Sequence, residues 1–204
     1  MNMSEQQRRQ GEPKNGAALL LVDVQNDFCP GGALAVPHGD RVIPALNRLI
    51  ERFKSQGNPV YASRDWHPSD TRHFRASGGP WPPHCVADTP GAAFHPQLQL
   101  PADTIVISKG QNRSDDGYSA FEGVADNGRT LAEDLRARGV SELYVGGLAT
   151  DYCVRATVLD ARKAGFPVTV VTDGIAGIGP EDVSRALDEM RQAGAMLVPA
   201  VPPR

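Results

Sequence analysis

A chain of 204 residues, 40% hydrophobic and 22% charged, is long enough to bury one sizeable core and has the composition of a globular protein. Its formal net charge of -3 argues against a nucleic-acid partner, and no apolar run approaches the roughly 20 residues that a membrane span requires. Three cysteines cannot all pair within one chain and the polar N-terminal stretch has no apolar leader, so reduced thiols in the cytoplasm are expected.

The polar residues 1–16, "MNMSEQQRRQGEPKNG", are expected to form a disordered tail ahead of a single domain over 17–204. "AALLLVD" (17–23) predicts the first strand. "GDRVIPALNRLIERFKSQG" then places Val42, Leu46, Leu49, Ile50 and Phe53 at helical spacing. Strands follow at "PVYAS" (59–63) and "TIVISK" (104–109). Between them, Arg64 to Ala102 is aperiodic and rich in Pro, Gly, His and Trp, and is read as a functional insert. A helix over "RTLAEDLRARG", closed by Gly139, leads to a strand at "ELYVGG" (142–147). The next helix follows Cys153 and is closed by Gly165. A strand at "PVTVVTD" (167–173), a helix over "PEDVSRALDEMRQAG" and a short strand at "AMLVP" (195–199) complete the chain. Strands alternating with helices predict an α/β fold, a doubly wound and mainly parallel sheet flanked by helices. The near-continuous apolar strands fit burial on both faces.

In such a sheet the strand-to-helix junctions share one edge, where ligands bind. The first strand ends in Asp23, the second leads to Asp65 and His67, the third ends in Lys109, and the fourth delivers Cys153. Asp23 is followed by "VQNDFCPGG" rather than by a helix, which weakens a simple capping role. Asp27 is the second choice of acid. With Thr150 or Asp151 as N-cap, Cys153 falls in the first helical turn, where the helix dipole and free amides favour a thiolate and the same amides suit an oxyanion. Cys29 and Cys85 lack this setting and read as structural thiols, with metal ligation by Cys85 a lesser alternative. In an extended segment Asp65 and His67 point to one side. His73 and His84 lie in the same insert, and a carboxylate with two or three imidazoles suits Zn, Fe or Mn. His38 and His95 carry no such constellation.

Together "LLLVDVQNDFCPGGALAV", "SRDWHP", "WPPHCVADTPGAAFHP", "KG", "YSAFEG" and "GGLATDYCVRAT" resemble the nicotinamidase and pyrazinamidase group of the isochorismatase-like cysteine hydrolases, over about residues 17 to 200. The resemblance implies a catalytic triad of Asp23, Lys109 and Cys153. It implies one divalent metal, zinc first and Fe or Mn as alternatives, on Asp65, His67 and His84 with His73 as a further ligand. It also implies a cis peptide at Leu148–Ala149, an oxyanion hole from the Ala149 and Cys153 amides, and a pyridine ring enclosed by Phe28, Trp81 and Tyr118. The implied reaction is nicotinamide hydrolysis through a thioester, with pyrazinamide as a second substrate. A homo-oligomer is left open. On this reading the metal faces the ring and the thiol answers to Lys109 and the helix end, so chelation is expected to leave Cys153 alkylation fast.

Rival readings are a metal-free small-amide or carbamoyl hydrolase of the same fold and a non-catalytic metal-binding module. A vinyl-ether hydrolase would not need the thiol. A nucleotide-binding module would need a glycine-rich loop after the first strand, where "QNDF" stands instead.

Overall fold

Six consecutive buried residues, Ala17–Val22, form strand β1 at the centre of a seven-stranded sheet. The computed structural model describes residues 16–199, so all but Gly16 of the expected tail lies outside the described residues. The remaining elements are α1 (Ile43–Ser55), β2 (Val60–Asp65), β3 (Ile105–Lys109), β4 (Val124–Ala125), α2 (Leu131–Ala137), β5 (Glu142–Leu148), α3 (Arg155–Lys163), β6 (Val168–Ala176), α4 (Pro180–Gln192) and β7 (Met196–Val198). The sheet order is β4-β3-β2-β1-β5-β6-β7, parallel throughout except that β4 runs antiparallel to β3. Chain order therefore reverses at β1, and the crevice between β1 and its neighbours lies at the carboxyl ends of the strands.

The alternation along β1 divides the core. Leu19 and Leu21 join Leu46, Ile50 and Phe53 of α1 on one face. Leu20 and Val22 join Leu131 and Leu135 of α2, Val158 and Ala161 of α3 and Met190 of α4 on the other. One face thus has three helices and the other has one. The aperiodic insert makes up the difference, placing Cys85, Ala92 and Leu98 in the α1-side core. It holds no long strand, only single-turn helices at Arg75–Ser77 and Pro90–Ala92 and isolated bridges such as His67 with Val86 and Phe74 with Trp81. Burial of its apolar residues, not local periodicity, orders it.

Two local expectations change. Strand β4 was not foreseen, because two residues carry no period. The N-cap of the segment holding Cys153 is Ala149, not Thr150 or Asp151, and no side chain caps it. Asp151 instead accepts the N–H groups of Ile178 (3.1 Å to Oδ2) and Gly179 (3.3 Å), at the mouth of α4. A capping box at Thr130 and Glu133 opens α2 and places Asp134 in the core. There its carboxylate accepts the Tyr61 hydroxyl at 2.8 Å and pairs with Arg138 at 2.6 Å. Asp134→Ala leaves that hydroxyl buried without an acceptor and is expected to cost about 2 kcal/mol, read by urea unfolding, with KM unchanged.

Candidate active site

Register brings the polar residues together. Asp65 and Lys109 are paired neighbours at the ends of β2 and β3. Asp23, just past β1 at φ 49°, donates its N–H to the Ser63 carbonyl. From β5 the chain passes through a cis peptide at Leu148–Ala149 into a wide π turn, Thr150–Val154, that carries Cys153. Lys109 lies at the centre, with its side chain fully buried. Its Nζ is 2.8 Å from Asp23 Oδ2, pairs with Asp65 Oδ1, donates to the Gly117 carbonyl, and lies 3.6 Å from Cys153 Sγ. Ser63 Oγ donates to Asp23 Oδ1 at 2.7 Å.

Two carboxylates around one ammonium set the protonation of the site. Burial opposes the Lys109 charge, but Asp23 and Asp65 outweigh it and hold the ammonium well above its ordinary range. Burial raises Asp23, aided by the charge of Asp65 and opposed by Lys109. Burial works against Asp65 as well, yet Lys109 and His67 together hold it below the usual carboxylate range. The Cys153 thiol is pushed well above its ordinary value, first by burial and then by Asp23 and Asp65, with Lys109 opposing. Burial and the two carboxylates thus oppose the thiolate that a helix end and Lys109 favour.

The imidazoles of His67, His73 and His84 are all buried, and their ligand atoms lie within 4.8 Å of one another. His67 Nδ1 faces the Gly110 carbonyl at 3.1 Å and His84 Nδ1 faces the Pro82 carbonyl at 2.8 Å. Only an N–H can face a carbonyl, so in the neutral ring of each the Nε2 is the atom left to bind a cation. Those two atoms lie 3.5 and 3.8 Å from Asp65 Oδ2. His67 Nε2 and His73 Nδ1 are buried without a hydrogen-bond partner. Lone pairs left over in a dry pocket beside a carboxylate fit a divalent cation. A side chain at Gly110 would come within 2.4 Å of the His67 ring, so "KG" serves the imidazole as well as the lysine.

Asp65 therefore belongs to both halves, with one oxygen on Lys109 and the other toward the imidazoles. The expected division between the thiol's groups and the metal ligands thus meets at one shared carboxylate. Acid pH acts on the same cluster. Burial holds His84 down to about 4 from an ordinary 6.5. The unfolded chain binds the extra proton across that interval, so metal-free protein is expected to lose stability as pH falls from 6.5 toward 4. Urea midpoints at pH 7, 6 and 5 check it; a flat series would show that His84 does not contribute.

Thiol and imidazoles open into one pocket, lined by Phe28, Asp65, His73, Trp81, His84, Tyr118, Ala149 and Cys153, with Leu34, Val36, Asp116, Tyr152 and Ile178 completing it. The first eight were singled out from sequence. Of the remaining five, Leu34, Val36 and Tyr152 stand inside quoted motifs and were legible there, whereas Asp116 and Ile178 sit on loops with no local signal. Trp81 Nε1 donates to the Tyr118 hydroxyl at 2.9 Å, and Tyr152 meets the Trp81 ring edge-on at 5.2 Å. Phe28 packs against His84 at 5.6 Å. Cys29 and Cys85 are buried free thiols, Cys29 pushed up to about 11, first by burial and then by Asp40, and neither shares a cluster of ligand atoms with the histidines. His38 is exposed, and His95 accepts the Gln97 N–H at 3.2 Å, away from the site.

The sheet and the cluster at its edge define the class: an α/β enzyme with its site at the carboxyl ends of parallel strands, at the point where chain order reverses. The chain belongs to the isochorismatase family, whose Isochorismatase domain matches residues 17–200. It is 47% identical over 201 residues to a nicotinamidase of Escherichia coli K12, covering 88% of this chain and 93% of that one. It is 46% identical over 189 residues to a nicotinamidase/pyrazinamidase of Mycobacterium tuberculosis H37Rv, covering 89% and 97%. A solved structure, the pyrazinamidase of Pyrococcus horikoshii in complex with zinc, superposes with a TM-score of 0.85 at 50% identity, covering 90% of this chain and 99% of that one. No helix among the described residues is long and apolar enough to cross a membrane.

Proposed function

We propose that this protein hydrolyses nicotinamide to nicotinate and ammonia through a thioester on Cys153, accepts pyrazinamide as well, and works with reduced thiols in the cytoplasm. The observation that carries this reading is the common pocket. A buried thiol beside a carboxylate and an ammonium opens into one aromatic-walled cavity with the imidazoles of His73 and His84, and His67 completes their cluster of ligand atoms. A primary amide is a poor electrophile, and dividing its hydrolysis into two acyl transfers avoids one high barrier.

Cys153 Sγ attacks the carbonyl carbon while its proton passes to Asp23. The new oxyanion takes the Ala149 and Cys153 amides, each worth about 3 kcal/mol. Asp23 then returns the proton to the leaving nitrogen, the C–N bond breaks, and ammonia departs from the thioester. Water adds to the thioester carbon and gives its proton to Asp23. The C–S bond breaks, and the sulfur recovers a proton from Asp23. Lys109 stays charged throughout, steadying the sulfur as negative charge develops and holding Asp23 in reach. Phe28, Trp81 and Tyr118 hold the ring. Asp65, His67 and His84, with His73, would hold one divalent ion, zinc in the first instance, which supplies a Lewis-acid contact for the ring nitrogen. A metal-free amide or carbamoyl hydrolase leaves the unpartnered imidazole nitrogens without purpose, and a binding module leaves the thiol cluster without one.

Ammonia release from nicotinamide, pyrazinamide and benzamide, with metal content measured on the same sample, tests the reading. Nicotinamide is expected to turn over with about one metal per chain, and benzamide, lacking the ring nitrogen, far more slowly. No ammonia from nicotinamide would overturn the assignment. Chelation has a second consequence, because it takes a cation from beside Asp65 Oδ2 and leaves Lys109 to balance that carboxylate near the sulfur. Iodoacetamide alkylation of Cys153 is expected to slow about tenfold on metal removal and recover on reloading. Equal rates would mean that Asp65 does not couple the two halves.

A further inference from the structure

Asp27, in "VQNDFCPGG", is the second choice of acid on sequence alone, and its surroundings give it a different task. Its Oδ1 accepts the Ala33 N–H at 3.1 Å and its Oδ2 accepts the Cys85 N–H at 2.7 Å. Both oxygens are thus engaged by backbone donors and not by Lys109 or Cys153. The Cys85 N–H belongs to the peptide unit that joins His84 to Cys85. Cys85 has φ 44°, a left-handed conformation uncommon outside glycine, so this turn depends on outside support. The Cys85 carbonyl accepts the His67 N–H at 3.0 Å, and the His67 carbonyl accepts the Ala87 N–H at 2.8 Å. One carboxylate oxygen therefore clamps the peptide after His84 and, one residue further, the backbone of His67. Gly91 packs against the same carboxylate: a Cβ there would lie 2.2 Å from Oδ2. No side chain at position 91 fits without displacing Asp27.

We infer that Asp27 is a positioning residue for the metal cluster, fixing His84 and His67 relative to each other through the Cys85 amide; this rests on the metal-binding reading proposed above. Chemistry makes the position specific. Two converging N–H donors need two acceptor oxygens. Asparagine has nearly the same shape but supplies one acceptor and sets an NH₂ against an N–H. Asp27→Asn therefore opens the clamp at constant volume. Gly91→Ala opens it without touching the carboxylate's chemistry. Neither hydrogen bond of Asp27 reaches Cys153, Lys109 or Asp23.

The test measures zinc affinity of the full chain by competition with a chromophoric chelator, for native, Asp27→Asn, Gly91→Ala and Asp134→Ala protein. KM, kcat and the iodoacetamide rate of metal-free Cys153 are followed alongside. The zinc Kd is expected to rise about 10- to 100-fold in Asp27→Asn and to rise in Gly91→Ala. KM for nicotinamide should rise more than kcat falls, and metal-free alkylation should match native. Asp134→Ala, destabilised far from the cluster, should keep native zinc affinity, which separates positioning from a general loss of stability. Should Asp27→Asn fail to fold, Gly91→Ala carries the comparison. Native zinc affinity in both variants would overturn the inference, and so would a collapse of kcat at unchanged zinc affinity, which would return Asp27 to the role of acid. Native protein that binds no zinc would overturn the metal reading itself, a result distinct from unchanged variants.

Discussion

Cys153→Ala is expected to lower kcat for nicotinamide by about 10⁴-fold or more, because the bond-forming atom is gone and no other thiol can replace it. Cys29 and Cys85 are both buried, and burial raises both thiols, Cys29 to about 11 and Cys85 well above its ordinary value. Cys29→Ala and Cys85→Ala should therefore keep most of the activity. The fold should survive loss of the Cys153 sulfur, since one atom is removed at the pocket wall and the resulting void costs on the order of 1 kcal/mol. Neither the imidazoles nor the aromatic walls are altered, so the variant should still bind zinc and nicotinamide and trap the substrate complex for calorimetry. Ammonia release, thermal melting and nicotinamide titration on one preparation check all three points. Turnover near native would remove Cys153 from the reaction.

Asp23→Asn is expected to reduce kcat by about 10³-fold with little change in KM, because what is lost is proton transfer and not a substrate contact. Its pH profile should differ as well. Burial raises Asp23 above its ordinary 3.8, and the residue accepts the thiol proton only when ionised. In native protein kcat should fall as pH drops through that raised value, and the asparagine variant should lack this limb. The thiol should respond in the opposite sense to catalysis. Asp23 is one of the groups that raise Cys153, so its neutralisation lowers the thiol, and alkylation by iodoacetamide should hold or accelerate while hydrolysis collapses. An effect confined to KM would mean that Asp23 positions substrate, and alkylation that falls with turnover would mean that it maintains the site's shape.

The sequence by itself determined the alternation of strands and helices, the apolar face of α1, and the delivery of Asp23, Asp65, Lys109 and Cys153 to one edge. These follow from periodicity and from the handedness of crossovers, both of which act over a few residues or a single connection. It also singled out eight pocket residues, seven carried by motifs and His73 by the clustering of histidines in the insert. Only the tertiary structure decided what depends on partners remote in the chain. The insert's residues gain order by covering the face that has a single helix, against partners remote in the chain, and nothing local announces that. Asp151 turns from its own turn to the Ile178 and Gly179 N–H groups ahead of α4, because these come within reach only after β6 is laid beside β5. Asp65 reads as a ligand in "RDWH", yet the register of β2 against β3 also places it on Lys109 and joins the thiol to the imidazoles. The protonation of Cys153 was likewise beyond the sequence, since helix position alone favours a thiolate. Burial first, then Asp23 and Asp65 against Lys109, raises that thiol, and a balance of that kind exists only once the strands are paired.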